Sequence, residues 1–247
     1  MLAEFALDIA KMGLFVACAY AALSVYTRLR QPQWAKPLMQ RRLAVVGILA
    51  LLVTGIKVVE DVVAKESGPV DEAILWFVRE HVPLALTGFF AAITWSGSAI
   101  FLLPVTVVAV VALLFARQRP EALLLAASVS TATLVSYALK TIIGRSRPAL
   151  WETQWYWGSS FPSGHTLSTA AFTSAAALCV ARIWPRAAKL AMLMAILWTG
   201  LVAVSRLVLG VHWPSDVLAA ICVGIFIPLL LSVLFDLRRP GLKPGKP

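Results

Sequence analysis

The chain has 247 residues, of which 60% are hydrophobic and only 14% charged, with a mean hydropathy of +0.83. Soluble domains of this length carry more charge and fewer apolar residues, so the expected class is all-α, a polytopic transmembrane helical bundle. The formal net charge of +10 could suggest nucleic acid, but the basic residues form no soluble basic domain. No nucleic-acid partner is expected, and topology explains their placement better.

Runs of about 20 apolar residues cross a bilayer core, and spans are predicted near 5–27, 43–64, 98–117, 121–143, 163–183, 188–209 and 214–236. The first carries Glu4, Asp8 and Lys11 in its opening turns, so an interfacial helix is the alternative there. Those acids stand where a signal peptide would be basic, and no cleaved leader is expected. Residues 1–42 read as an N-terminal helix and a basic cytoplasmic linker, 43–237 as a membrane domain, and 238–247 as a basic tail expected to be disordered. Lys57, Glu60 and Asp61 have helical spacing and read as internal ion pairs near a helix end. His81 reads as a surface histidine. Segment 84–117 would form a helix of about 50 Å, too long for one straight span. Trp95-Ser96-Gly97-Ser98 is the expected break, leaving 84–95 along the membrane surface or re-entering it. Ser128, Ser130, Thr131, Thr133 and Ser136 suit close helix packing on span 121–143. Cys18, Cys179 and Cys222 lie in apolar runs without metal-ligand spacing and read as packing residues.

Lys and Arg placement orients the bundle. Arg28, Arg30, Lys36, Arg41 and Arg42 lie on one side with Arg117, Arg119, Arg182, Arg186 and Lys189, and the tail adds Arg238, Arg239, Lys243 and Lys246. Across the membrane, outside the motifs described next, only Lys65, Arg79 and Arg145 remain. The expected location is a bacterial inner membrane, with the tail in the cytoplasm and the motifs on the outer, periplasmic face. Seven spans would put the N-terminus outside, whereas an interfacial first helix would put it inside.

Three fragments carry the chemistry. Lys140 falls in the last turn of span 121–143, Gly144 ends that helix, and Arg145, Arg147 and Pro148 follow. Taken alone the lysine is a snorkelling side chain at a helix C-terminus; with two arginines close by, it points to anion binding. Pro162-Ser163-Gly164-His165 opens the next span. Ser163 suits an N-cap, and Gly164 lets a ligand approach a helix start whose N–H groups favour phosphate. A simple cap is the plainer reading. Ser205-Arg206 lies near the outer end of span 188–209, where a guanidinium wants an anion. His212 follows, then Trp213-Pro214 and Asp216. Asp216, four residues beyond His212, can accept from one imidazole nitrogen and leave the other unprotonated and aimed outward. The plainer reading makes Asp216 a helix-start residue.

The spacing Lys140-six residues-Arg147-Pro148, then Pro-Ser-Gly-His, then Ser-Arg-five residues-His-three residues-Asp, resembles the tripartite signature of the type-2 phosphatidic acid phosphatase superfamily. The match runs over about residues 43–236, with the first span as an extra element before a six-helix core. The resemblance implies that His212 is the nucleophile that forms a phosphohistidine, with Asp216 orienting it. His165 is then the general acid for the leaving oxygen and afterwards the base for water. Lys140, Arg147 and Arg206 hold the non-bridging oxygens, with the Ser163 hydroxyl and the Gly164 N–H. Arg145 could contact a headgroup or second phosphate, or pair with Glu152.

Phosphoryl transfer needs mainly positioning and charge stabilisation, which three cations supply. No metal and no other cofactor is expected. Trp151, Trp155, Tyr156, Trp157 and Phe161 suit an interfacial belt or a lip that guides acyl or prenyl chains. The expected activity is hydrolysis of a lipid phosphate or diphosphate: undecaprenyl diphosphate, phosphatidylglycerol phosphate, phosphatidic acid or lipid A phosphate. Lipid-to-lipid phosphotransfer through the same site is a second enzyme reading. A lipid or anion transporter is the alternative from another class, disfavoured because a binding site has no use for a positioned His-Asp pair.

Overall fold

The computed structural model describes residues 2–153 and 158–238, with side chains from residue 7 onward. Glu4, the aromatics Trp155, Tyr156 and Trp157, and the tail from residue 239 lie outside that description. The described residues form helices α1 (Leu2–Arg30), α2 (Pro32–Gln40), α3 (Arg42–Val63), α4 (Gly68–His81), α5 (Thr87–Ser96), α6 (Ala99–Phe115), α7 (Arg119–Ile143), α8 (Gly164–Ile183), α9 (Ala188–Val208) and α10 (Pro214–Leu237). No strand occurs among them.

Among the described residues, six helices are long and apolar enough to cross a membrane: α1 from Leu7, α3, α7, α8, α9 with the turn from Pro185, and α10. Leu84–Ser96 and Ala99–Phe115 pass together, bent by 44°. The bend falls at the expected break, where Ser98 caps α6 by accepting from the Phe101 N–H at 3.3 Å. Residues 84–95 are therefore one arm of a bent helix pair, packed against α9. Two helices were not foreseen. In α2, Pro32 opens the helix where a missing N–H costs nothing, so part of the basic linker is helical. In α4, Leu75 and Asp71 are buried, and the helix packs over the ends of α9 and α10.

The core sits on α8, which packs against α6, α7, α9 and α10. Leu167, Ala170, Ala171 and Ala175 are fully buried. Their small size allows close approach. A Cβ on Gly224 of α10 would lie 2.6 Å from the Ala170 Cβ and 2.7 Å from the Leu167 carbonyl oxygen, so only glycine fits at that crossing. On α7 the buried stripe is Ser128, Ala132 and Ser136, one residue per turn. Ser130 and Thr133 are exposed, and the Thr133 hydroxyl donates back to the Val129 carbonyl at 2.9 Å. The outer surface is apolar, with Phe115, Leu134, Ile142 and Ile196 more than half exposed, as a lipid-facing bundle requires.

Ion pairs tie the basic end of the bundle. Asp236 on α10 pairs with Arg41 at 2.6 Å and with Arg182 at 2.9 Å. Within α3, Lys57 lies 2.7 Å from Asp61 and 3.6 Å from Glu60, the internal balance expected from their spacing. His81 is exposed and stacks on Phe77. Cys179 and Cys222 are buried, whereas Cys18 is exposed on α1.

Candidate active site

Four helix termini meet at the other end of the bundle. α7 ends there, α8 begins, α9 ends and α10 begins, and each brings one part of the three motif fragments.

Lys140 lies in the last turn of α7, and its Nζ donates to the Ser159 carbonyl at 2.7 Å. Its stem passes over the start of α8, where a Cβ on Gly164 would meet the Lys140 Cε at 3.7 Å. The segment before α8 is anchored by its own backbone. Ser160 N–H donates to the Arg145 carbonyl at 2.8 Å, and the Ser160 hydroxyl donates to the Ser146 carbonyl at 3.0 Å. Phe161 is fully buried against Val58, Val62 and Ala219. Ser163 N–H donates to the Asp216 carbonyl at 3.2 Å, which joins the start of α8 to the start of α10.

Ser163 takes the N-cap position of α8, but its side chain makes no cap hydrogen bond. The hydroxyl pairs instead with Thr166 Oγ1 at 3.0 Å. The first-turn N–H groups of α8 are thus not spent on the cap residue, which leaves them to an anion. His165 is half-buried in that turn. Arg206, His212, Lys140 and Arg147 are all within its electrostatic reach.

Arg206 is the largest fully buried side chain, and its Nη1 donates to Thr94 Oγ1 at 2.7 Å. Thr94 belongs to α5, one turn before the bend, so the bent pair supplies a neutral partner for a buried cation. After α9, Gly210 turns the chain with φ of +65°. A Cβ there would lie 2.6 Å from the Trp151 ring, so the turn needs glycine for both its backbone and this close contact. Trp151 in turn packs 5.5 Å from Trp76 and under Arg79.

His212 is buried between Arg147 and Asp216. Its Nδ1 stands 3.4 Å from Asp216 Oδ2, long for a hydrogen bond but within ion-pair range. Arg147 Nη1 lies 3.3 Å from His212 Nε2 and donates to the Val211 carbonyl at 2.8 Å. Guanidinium has no acceptor, so Nε2 must be the acceptor and carries the lone pair, which leaves the ring proton on Nδ1 facing Asp216. Burial pushes the imidazole down to about 4, and Arg206 and Arg147 act in the same direction; the Asp216 contact opposes them. Burial therefore favours the neutral ring, with Nε2 facing Arg147.

Asp216 is itself fully buried. Its Oδ2 accepts from the Trp213 N–H at 2.9 Å, and its Oδ1 accepts from Arg145 Nη1 at 2.7 Å. Arg145 is thus turned into the protein rather than toward Glu152. Nη2 pairs with Asp71 Oδ2 at 2.7 Å, and the side chain is 15% exposed. Two buried carboxylates hold a cation more strongly than one exposed carboxylate competing with water. Sequence reasoning missed Asp71, Thr94 and Thr166. The first two come from segments with no motif, and Thr166 was hidden by the expectation that Ser163 caps its helix by itself. Among the described residues, no group of three or more His, Cys, Asp or Glu side chains is placed to hold a metal ion.

The chain is similar to several bacterial phosphatases. The chain is 30% identical over 150 residues to phosphatidylglycerophosphatase B of Bacillus subtilis, covering 60% of this chain and 74% of that protein. It is 33% identical over 119 residues to lipid A 1-phosphatase of Rhizobium johnstonii, covering 44% of this chain and 45% of that relative, so less than half of the latter's length is spanned. The crystal structure of a transmembrane PAP2-type phosphatidylglycerolphosphate phosphatase from Bacillus subtilis superposes with a TM-score of 0.71 at 26% identity, over 76% of this chain and 96% of that one. The PAP2 superfamily pattern itself matches residues 92–240. That stretch runs from α5 through α10 and contains all three motif fragments, so the chain belongs to the PAP2 superfamily.

Proposed function

We propose that the protein is an integral-membrane phosphatase that hydrolyses a lipid phosphate or diphosphate through a phosphohistidine on His212. The observation that carries this reading is the contact between Arg147 Nη1 and His212 Nε2. It requires a lone pair on Nε2, aimed toward the cation that would hold the phosphoryl oxygens.

Lys140, Arg147 and Arg206, with the first-turn N–H groups of α8, receive the non-bridging oxygens. Nε2 attacks phosphorus, the bond to the leaving oxygen breaks with its electron pair going to that oxygen, and His165 supplies the proton. His165 then takes a proton from water as the water oxygen bonds to phosphorus and the N–P bond breaks, which releases phosphate and restores His212. The names of the relatives support a lipid phosphate, and lipid A phosphate, phosphatidylglycerol phosphate, phosphatidic acid and undecaprenyl diphosphate remain the panel. An apolar groove of about 310 Å³ lies between α3, α7 and α10, lined by Gly55, Val59, Leu139, Cys222 and Phe226 among others. Its wholly hydrophobic side-chain lining suits a hydrocarbon chain. The basic side chains at the opposite end support a cytoplasmic location for that end, with the site facing the periplasm.

The test is inorganic phosphate release by detergent-solubilised protein across that panel in EDTA, with His212→Ala in parallel. The expected result is release from at least one lipid that vanishes in the variant. Release undiminished in His212→Ala would overturn the phosphohistidine, and activity lost in EDTA but restored by Mg²⁺ would overturn catalysis by these side chains alone.

A further inference from the structure

Asp71 lies on α4, outside every motif fragment, yet its carboxylate is buried among the groups that hold His212's partner. Oδ1 accepts from the Ser215 N–H at 2.9 Å. Oδ2 accepts from the Ser215 hydroxyl at 2.6 Å and from Arg145 Nη2 at 2.7 Å. Arg145 Nη1 donates at 2.7 Å both to Ser215 Oγ and to Asp216 Oδ1, and Nη2 donates to Ser67 Oγ at 3.2 Å. A continuous chain of contacts therefore runs Asp71–Arg145–Asp216–His212. Asp71 also meets the backbone at the second residue of α10, one position before Asp216, where an anion at a helix start is favoured.

We infer that Asp71 is a positioning residue for the phosphoryl transfer, acting through Arg145 on Asp216 and so on the charge of His212. The inference rests on the phosphohistidine reading above. When Nε2 bonds to phosphorus while Nδ1 keeps its proton, the imidazole ring becomes cationic. The chain then alternates in sign: Asp71 negative, Arg145 positive, Asp216 negative, His212 positive. Without Asp71, Arg145 would neutralise Asp216 alone, and the cationic ring would face a pair with no net charge. Asp71 takes up one side of the guanidinium and leaves Asp216 with charge to spend on the ring. A buried site magnifies that difference, because little water is present to screen it.

Asp71→Asn keeps the shape and the acceptor for Ser215 N–H but removes the charge. It is compared with wild type, Asp71→Glu and His212→Ala on the lipid phosphate turned over best in the panel, with phosphoenzyme trapped by an alkaline quench, which preserves a P–N bond, and product inhibition by inorganic phosphate as further readouts. The expected loss in kcat is about 10- to 100-fold, by analogy with outer-shell partners that orient a metal-binding imidazole at one remove. Phosphoenzyme falls with it, while the inhibition constant for phosphate stays within about threefold, because Asp71 bonds Arg145 and Ser215, which are not among the residues proposed to hold phosphate. Asp71→Glu recovers most of the rate. Three results would overturn the inference: kcat in Asp71→Asn within about twofold of wild type, equal losses in the Asn and Glu variants, or phosphate affinity falling as far as kcat. An active His212→Ala would sink the phosphohistidine reading itself; an inactive one beside a fully active Asp71→Asn would remove Asp71's role alone.

Discussion

Replacing Asp216 by asparagine is the sharpest test of how the site is wired. Asp216 is fully buried, and each of its oxygens is engaged: Oδ1 by Arg145, Oδ2 by the Trp213 N–H and, at 3.4 Å, by His212 Nδ1. Asparagine offers one acceptor oxygen where the carboxylate offers two. With the amide oxygen on Arg145, its NH₂ points at two donors, and each buried donor left unsatisfied costs about 1–3 kcal/mol. His212 can relieve one clash by moving its proton from Nδ1 to Nε2. That move takes the lone pair from the attacking atom and sets a proton against Arg147. A comparable acid-to-amide change behind a catalytic histidine costs about 10⁴-fold in rate, so kcat for Asp216→Asn should fall by about 10³- to 10⁴-fold. Initial rates of phosphate release in detergent measure it, with thermal melting as the check on folding. A variant that keeps more than about one-tenth of wild-type kcat would show that Asp216 does not set the tautomer of His212.

The depressed His212 implies a pH dependence of stability with a definite sign. Its folded pKa is near 4 and its ordinary value 6.5, so between those values the unfolded chain binds a proton that the folded protein does not. Stability from this group is fully present above about pH 6.5 and is lost as pH falls through the window toward 4. Melting curves from about pH 7 to about pH 5 should therefore drop more steeply for wild type than for His212→Gln, and identical slopes would refute the assignment. The groove offers a separate test. Val59 lines the groove and is only partly buried, so Val59→Trp narrows it. The kcat/KM for a long-chain lipid phosphate should fall by about tenfold or more, while a short water-soluble phosphate ester keeps its rate; equal losses on both would show that the groove takes no chain.

Much of this was legible from residue order because helices in lipid satisfy their own backbone. Apolar runs long enough to cross had to be helices, and α3, α7, α8, α9 and α10 begin and end within a few residues of their predicted limits. The break before α6 was readable in Ser96-Gly97-Ser98, and the Lys57–Asp61 pair in its four-residue spacing. The short helices were harder. α2 and α4 have neither the length nor the uninterrupted apolarity of a span, and their surroundings stabilise them. Ser128 and Ser130 read alike in sequence, but only the helix's rotation in the bundle puts one inside and the other against lipid.

The motif residues, their spacing and their places at helix ends were determined by the sequence alone, because local spacing and cap residues are written in residue order; the packing of four helices then brings the fragments together. The partners were decided only by the tertiary structure. Thr94 meets Arg206 across 112 residues, and Asp71 meets Arg145 across 74. Neither partner lies in a motif, because a long-range contact is chosen by the folded backbone. Asp71 in the first turn of a helix reads, on sequence, as a helix-start residue. It becomes a member of the site because α4 folds over the ends of α9 and α10 and buries it beside two other charges. Burial makes that contact matter, since water would otherwise have screened it.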